Sequence, residues 1–410
     1  MEGQERTQER RLAALVRGHA RWRGRQCLNL LPSENSLSPK ALSYLATDLA
    51  GRYTLPMKTM VDGELLENSY AGTRYTDAIE SLASQAAQRV FRGRYATVRP
   101  LSGHIAAMAV LSSLLPRGSS YLSIPPEAGG YDGYDPGYLP ALLGYRAVPL
   151  PCHGPTHQLD LEGLTATLRT ERPQAVILGQ SFILFPYPLR EVAEAAHAVD
   201  ALVIYDGSHV MGLIAGGQFQ DPLTEGADVL LGSTHKSFFG PQGGIVVTNR
   251  EDLFAQIDGA MTWRVQDNAH WNRIAALAQS LLEMERVGAD YARTVIRNSQ
   301  ALARALDEEG IPLVGQEEGY TRSHQIWIDK VELRERFQMG AVRFARNLES
   351  QDIIVDLVGR VGTAEVSRWG MTPSQMPAIA RWIREAGLQH RPVRAQVHRF
   401  RSKYPRLRFI

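Results

Sequence analysis

Seven short, apolar, β-rich runs recur in the first two-thirds of the chain, and several are separated by stretches with helical spacing. The runs are YATVRPL, YLSIPP, YRAVPLP, AVILGQS, ALVIYDG, ADVLLGS and GGIVVTN. Between them lie HIAAMAVLSSLL, LEGLTATLRT and LREVAEAAHAVD. Strands that alternate with helices predict a mostly parallel sheet covered on both faces. The expected class is therefore α/β.

The flanking text fills in the organisation. Residues 5–23 read as a charged amphipathic helix, with Leu12, Leu15 and Val16 on one face. LNLLPSENSLSP is an apolar run stopped by Pro32, with Ser33 a candidate cap for a short helix. Residues 77–91 have helical spacing, with Asp77 at the start. After about residue 265 the text turns to longer helices, and a second, smaller α/β unit is expected from about residue 290. The predicted division is a helical arm over 1–50, a large domain over 51–285 and a small domain over 286–410. A length of 410 residues suits two or three units.

A net charge of +2 gives no global field for nucleic acid or a membrane. No window of about 18 apolar residues is present, and the first residues lack a signal peptide's apolar core. Two cysteines make neither a disulfide framework nor a metal cluster, and the histidines show no metal spacing. These features predict a cytoplasmic chain without metal, nucleic-acid or membrane partners. The basic stretch RPVRAQVHRFRSKYPRLRF reads as a solvated final helix and tail rather than a nucleic-acid surface.

The strongest chemical signal is ALVIYDGSH followed by ADVLLGSTHKSFFGPQGGIVVTN. One apolar strand ends in Asp206. Thirty residues later another ends in Ser233, Thr234, His235 and Lys236, and a glycine-rich return follows. In a parallel sheet the strand C-termini line one crevice, so an acid and a lysine at two such ends can face one ligand. Pyridoxal-phosphate chemistry needs this pair. A lysine forms the Schiff base and shuttles protons, and a carboxylate keeps the pyridine nitrogen protonated. Ser233, Thr234 and His235 sit where they can reach a phosphate.

These segments resemble the serine hydroxymethyltransferase family of fold-type-I pyridoxal-phosphate enzymes. DGSHVMGLIAGGQF and STHKSFFGPQGG resemble the family's acid and lysine motifs. LNLLPSENSLSP, YATVRPLSGHIAAMAVL and GRVGTAEVSRWG resemble its S-E-N, P-x-S-G-S and R-x-G-T motifs, in the right order over roughly residues 28–370. The resemblance implies a large domain on a mostly parallel seven-stranded sheet, a smaller C-terminal α/β domain and an amino-acid substrate. It also implies a homodimer with shared active sites. Lys236 is implied as the Schiff-base lysine and Asp206 as the partner of the pyridine nitrogen. His209 and Ser181 fall near the cofactor's phenolic oxygen, Tyr131 against its ring, and Ser102, Gly103, Ser233 and His235 near its phosphate. Arg360 matches the arginine that grips the substrate carboxylate in a bidentate fork. Ser33 and Glu34 match S-E-N near the substrate. Tyr53 and Tyr70 match two tyrosines that cross into the neighbouring subunit's site.

The chain departs from the family at places that bear on the reaction. Leu55 stands where Y-A-E-G has its glutamate, and Tyr131 where a histidine stacks on the ring. A phenol stacks but is a poorer base. DIIVDLVGRVG lacks the folate loop, Gln242 replaces an arginine, and Gln266, Asp267, Asn268 and Ala269 replace Q-G-G-P. An aspartate disfavours a phosphate there. Residues 56–68 are an insertion that reads as a lid, a specificity loop or a tolerated surface insertion. Losing one general base forfeits about 10²–10⁴-fold, so folate-dependent hydroxymethyl transfer is disfavoured. The favoured reaction is β-elimination of the C–S lyase type, or decarboxylation-coupled deamination, on a bulky cysteine-S-conjugate. That reading resembles family members recruited into antibiotic pathways, such as lincosamide tailoring. The alternative is a threonine aldolase, a transaldolase or a hydroxymethyltransferase-like enzyme.

Overall fold

The computed structural model describes residues 2–410, without the side chains of residues 2–5 and 57–59. It divides into two compact units, Ser33–Arg293 and Met1–Pro32 with Thr294–Phe409. The first 32 residues thus share a unit with the C-terminal third, where the sequence reading drew a separate arm over 1–50. The other division falls at 293/294 rather than 285/286. One continuous helix, Trp271–Glu308, runs through it, so no break in the sequence pattern marks the place.

The larger unit is built on the seven expected strands. They are β1 (Tyr95–Thr97), β2 (Ser120–Ser123), β3 (Arg146–Pro149), β4 (Ala175–Leu178), β5 (Leu202–Asp206), β6 (Val229–Ser233) and β7 (Gly244–Thr248). Their order across the sheet is β1-β7-β6-β5-β4-β2-β3. Pairing is parallel except at β7, which runs antiparallel to both β6 and β1. A tight return, residues 234–243, joins β6 to β7 in place of a crossover helix, and Lys236 lies on it. β4, β6 and β7 are buried along their whole length, which is why they read as unbroken apolar runs rather than alternating ones. Around them lie α1 (Gly103–Leu114), α2 (Leu161–Glu171), α3 (Leu189–His197), the short α4 (Met211–Ala215) and α5 (Glu251–Ala260). Ala106, Val110, Tyr121, Ile177, Ile204, Leu231, Val246 and Ile257 share one core.

Local chemistry sets the helix ends. Ser102 caps α1 by accepting from Ile105 N at 3.1 Å, and Asp160 caps α2 through Gly163 N. The short helix after LNLLPSENSLSP is Pro39–Leu45, and its cap is Ser38, not Ser33. Proline at the first helical position presets that start. The helix expected at Asp77 begins at Arg74 and ends at Phe91. The insertion folds as a hairpin, Pro56–Val61 against Glu64–Asn68, and its side chains Met60, Val61 and Leu65 are exposed.

In the other unit, Leu28–Asn29 pairs in parallel with Ile353–Ile354, and Gln325–Trp327 pairs antiparallel with Arg360–Gly362. Leu28, Leu30, Leu306, Ile326, Phe344, Val361 and Ile379 share its core. The Glu2–Arg21 helix forms as expected, but Leu12, Leu15 and Val16 are exposed on this single chain. The basic C-terminal stretch is not merely a solvated tail. Its helix, Arg394–Arg401, buries Val397 and Arg401. Arg401 lies 3.9 Å from the Trp369 ring centre, and His398 bonds Asp352 at 2.7 Å. No helix among the described residues is long and apolar enough to cross a membrane.

One glycine holds the lysine return in place. Gly212, in α4, donates to Ser237 Oγ at 3.1 Å. A Cβ there would lie 2.3 Å from the Ser237 carbonyl oxygen and 2.7 Å from Phe238 N. Gly212→Ala is expected to destabilise the protein by about 1–3 kcal/mol through overpacking. Urea unfolding that leaves the midpoint unchanged would contradict this packing.

Candidate active site

The strand C-termini, the lysine return and the first turn of α1 border an open cleft. Its lining brings together Gly103, Tyr131, Ser181, Asp206, His209, Ser233 and Lys236, all expected from the sequence. His104, Gln180 and Ser208 line it as well. Ser102 stands just outside, its hydroxyl engaged as the helix cap.

Asp206 ends β5 and is buried. Its Oδ1 accepts from Ser208 N at 3.0 Å and from Ser208 Oγ at 2.6 Å, and its Oδ2 accepts from Tyr134 OH at 2.8 Å. Burial and then the Asp206 charge push the Tyr134 phenol well above its ordinary pKa, so it stays a donor. Lys236 Nζ lies 3.2 Å from His209 Nε2. Asn35 Nδ2 donates to the Lys236 carbonyl at 3.0 Å and to Tyr291 OH at 2.8 Å, while Tyr291 OH donates to the Ser237 carbonyl at 2.7 Å. Two side chains far apart in sequence thus fix the backbone that carries the lysine.

A phosphate fits at the other end of the cleft. A Cβ on Gly103 would fall 2.3 Å from Ser233 Oγ, so only glycine leaves the first turn of α1 open. The free N–H groups of such a turn attract an anion. His235 is not among the residues that line the cleft, and its Nδ1 is buried without a hydrogen-bond partner. Burial and then the Lys236 charge lower the His235 pKa to about 4.

The remaining expected residues are not among this lining. Tyr53 and Tyr70 are exposed and meet edge to face at 5.1 Å. The Tyr53 hydroxyl donates to Asp267, and that bond first, with desolvation, raises the phenol to about 12. Gln266 clamps the turn into α1, accepting from Leu101 N and donating to the Arg99 carbonyl. Leu55 is buried at the base of the hairpin. Ser33 and Glu34 precede the Ser38 cap and are half-buried. Arg360 lies in the other unit, half-buried, and its Nε donates to Asp356 Oδ2 at 2.5 Å.

Sequence reasoning missed several residues that bear on the site. His104 stands where the family motif S-G-S has its second serine, and that mismatch was the available signal. Asn35 sits in the quoted S-E-N segment, yet only its neighbours were singled out. Tyr134, Ser208 and Tyr291 act through the fold, and nothing local in the sequence marks them.

A lysine beside a histidine, a buried acid held by three donors and an open helix N-terminus fit a pyridoxal-phosphate-dependent enzyme of fold type I. The comparisons agree. The serine hydroxymethyltransferase family pattern matches residues 6–356. The serine hydroxymethyltransferase of Pyrobaculum neutrophilum is 36% identical, over 96% of this chain and 93% of that protein. That of Methanopyrus kandleri is 37% identical over 96% and 93%. The chain belongs to the serine hydroxymethyltransferase family. The fold also matches a crystal structure of L-threonine transaldolase from Pseudomonas fluorescens, with a TM-score of 0.88 over 99% of this chain and 94% of that one, at 24% identity.

The His235 environment predicts a pH effect on the coenzyme-free protein. An unfolded imidazole titrates near 6.5 and the folded one at about 4. The unfolded state therefore binds more protons between these values. Stability is full above about pH 6.5 and falls as the pH drops toward 4, by at most roughly 3 kcal/mol. His235→Gln should flatten that part of the stability profile. Equal slopes in wild type and variant would contradict the assignment.

Proposed function

We propose that the chain is a folate-independent member of the family that breaks a bond on the β-carbon side of an amino acid. The observation that carries this is the pairing of an intact lysine–acid cleft with a shortened segment before Arg360. Only five residues separate the strand at Ile354 from Arg360. That turn closes on Asp356, whose Oδ1 accepts from both Val358 N and Arg360 N. The shortness of that turn supports a site that works without folate.

When bound, the pyridoxal ring supplies an electron sink conjugated to the substrate's Cα. Lys236 is the covalent anchor and the group that moves the Cα proton. Asp206 holds a proton at the ring nitrogen, and His209 and Ser181 flank the lysine end. Gly103, Ser233 and His235 hold the phosphate, with Ser102 shaping the turn, and Tyr131 packs against the ring. Arg360 receives the substrate carboxylate through its two terminal nitrogens, with Asp356 steadying the Nε side. Ser33 and Glu34 stand near the substrate. Tyr53 and Tyr70 serve the site of a second copy in a homodimer, and the 56–68 hairpin between them selects for bulk.

The missing glutamate at Leu55 favours β-elimination from a cysteine-S-conjugate, as in antibiotic tailoring. The Cα proton and the thiol leave, and water then releases pyruvate and ammonia. Decarboxylation-coupled deamination of the same conjugate is the variant that breaks the Cα–carboxylate bond instead. A second reading, aldol-type cleavage of a β-hydroxy amino acid, is favoured by an imidazole and a phenol paired in the cleft.

The coenzyme-loaded enzyme should cleave S-benzyl-L-cysteine to pyruvate, or L-threonine to glycine and acetaldehyde, at a rate unchanged by tetrahydrofolate. Conversion of L-serine to glycine only when tetrahydrofolate is supplied would overturn the proposal. Lys236→Ala should lower any such turnover by at least about 10³-fold.

A further inference from the structure

The family's ring histidine is replaced by Tyr131, yet an imidazole has not left the cleft. His104, on the first turn of α1, places Nδ1 2.9 Å from Tyr131 OH. The rings meet nearly perpendicular, 77° apart with centres 6.1 Å apart. Both side chains line the cleft with Lys236 and Asp206. They differ in exposure, since His104 opens to solvent and Tyr131 is half-buried.

We propose that Tyr131 and His104 form an acid–base pair that handles the proton on the substrate's β-heteroatom, with Tyr131 meeting the substrate and His104 acting through it as a positioning and relay residue. This rests on the reading of the Lys236 cleft as the catalytic pocket.

The ring of Tyr131 is placed by its surroundings. It meets Tyr134 edge on, at 85° with centres 5.5 Å apart. A Cβ on Gly133 would lie 2.4 Å from Tyr131 Cε1, so the glycine leaves the space that the ring fills. The titratable groups that face the phenol are Asp206, Asp132, Tyr134 and His104, and Lys236 and His209 share the cleft. Burial and then the two carboxylates raise the phenol above its ordinary pKa. Alone it is a weak base near neutrality. An acceptor on its oxygen removes that obstacle, because the phenol gives up its own proton as it takes another.

The proton balance closes in both directions. In aldol-type cleavage the β-hydroxyl proton passes to the Tyr131 oxygen while the Tyr131 proton passes to His104 Nδ1. The O–H electron pair becomes the carbonyl bond, and the Cα–Cβ pair stays on Cα. In elimination Tyr131 gives its proton to the departing heteroatom, which keeps the Cβ bond pair, and protonated His104 replaces the phenol's proton. His104 then exchanges with solvent.

The test compares coenzyme-loaded wild type with Tyr131→Phe, His104→Gln and Gly133→Ala. Exchange of the L-alanine Cα proton in deuterated water reads Lys236 without a β-heteroatom. Cleavage of L-threonine, L-serine and S-benzyl-L-cysteine reads the full reaction. The ratio of cleavage to exchange should fall by about 10²-fold in Tyr131→Phe and His104→Gln, and in the same direction in Gly133→Ala. A general folding defect would lower both rates together. Ratios within about threefold of wild type in both side-chain variants would overturn the proposal. NMR of the His104 ring in the loaded protein gives a readout without turnover. Tyr131→Phe removes the hydroxyl 2.9 Å from Nδ1 and should displace the ring's nitrogen resonances, and an unmoved spectrum would overturn the pair. Wild-type exchange without cleavage of any probe would overturn the pair's role while sparing Lys236. Loss of exchange as well would overturn the underlying reading of the cleft.

Discussion

A single hydroxyl ties the two reactive strands together. Ser208 Oγ donates to Asp206 Oδ1 at 2.6 Å and accepts from Ser233 N at 3.0 Å. The acid at the end of β5 and the start of the lysine return at the end of β6 are thereby held through one atom. Parallel pairing of Asp206 with Leu231 sets the register beneath it. A buried carboxylate is tolerated only when its lone pairs find donors, and Ser208 and Tyr134 occupy three of about four acceptor sites. These bonds hold the acid and the start of the lysine return to one geometry, as a preorganised site requires.

The same region shows how closely backbone has to approach backbone around a coenzyme. A Cβ on Gly244 would meet the Ser102 carbonyl oxygen at 2.3 Å, and one on Gly232 would meet Ser208 N at 3.0 Å. The GPQGG return is therefore glycine-rich for reasons of packing. It lets β7 turn back against β6 beside the cap of α1, while Asn35 and Tyr291 grip the carbonyls around Lys236 from outside the sheet.

Much of this was legible in the sequence because it depends on local pattern. All seven strands appear where apolar runs end in turn residues, and the acid and lysine sit at the ends of two of them. Pattern failed where a contact is long in sequence. The pairing of Leu28–Asn29 with Ile353–Ile354 puts the N-terminus in the C-terminal unit, and no local feature announces it. The cap at Ser38 was misplaced to Ser33 because both serines follow the same apolar run, and only the proline after Ser38 separates them. His104 was passed over as one residue of an apolar helix. Its partner lies 27 residues away, across a turn fixed by Gly133.

The central claim is that one amino group among five lysines holds the coenzyme. Borohydride reduction of the native holoprotein, followed by digestion and mass spectrometry, tests it most directly. The account predicts one pyridoxyl group per chain, on the peptide containing Lys236. A label on Lys40, Lys58, Lys330 or Lys403, or no label on a catalytically active protein, would contradict it.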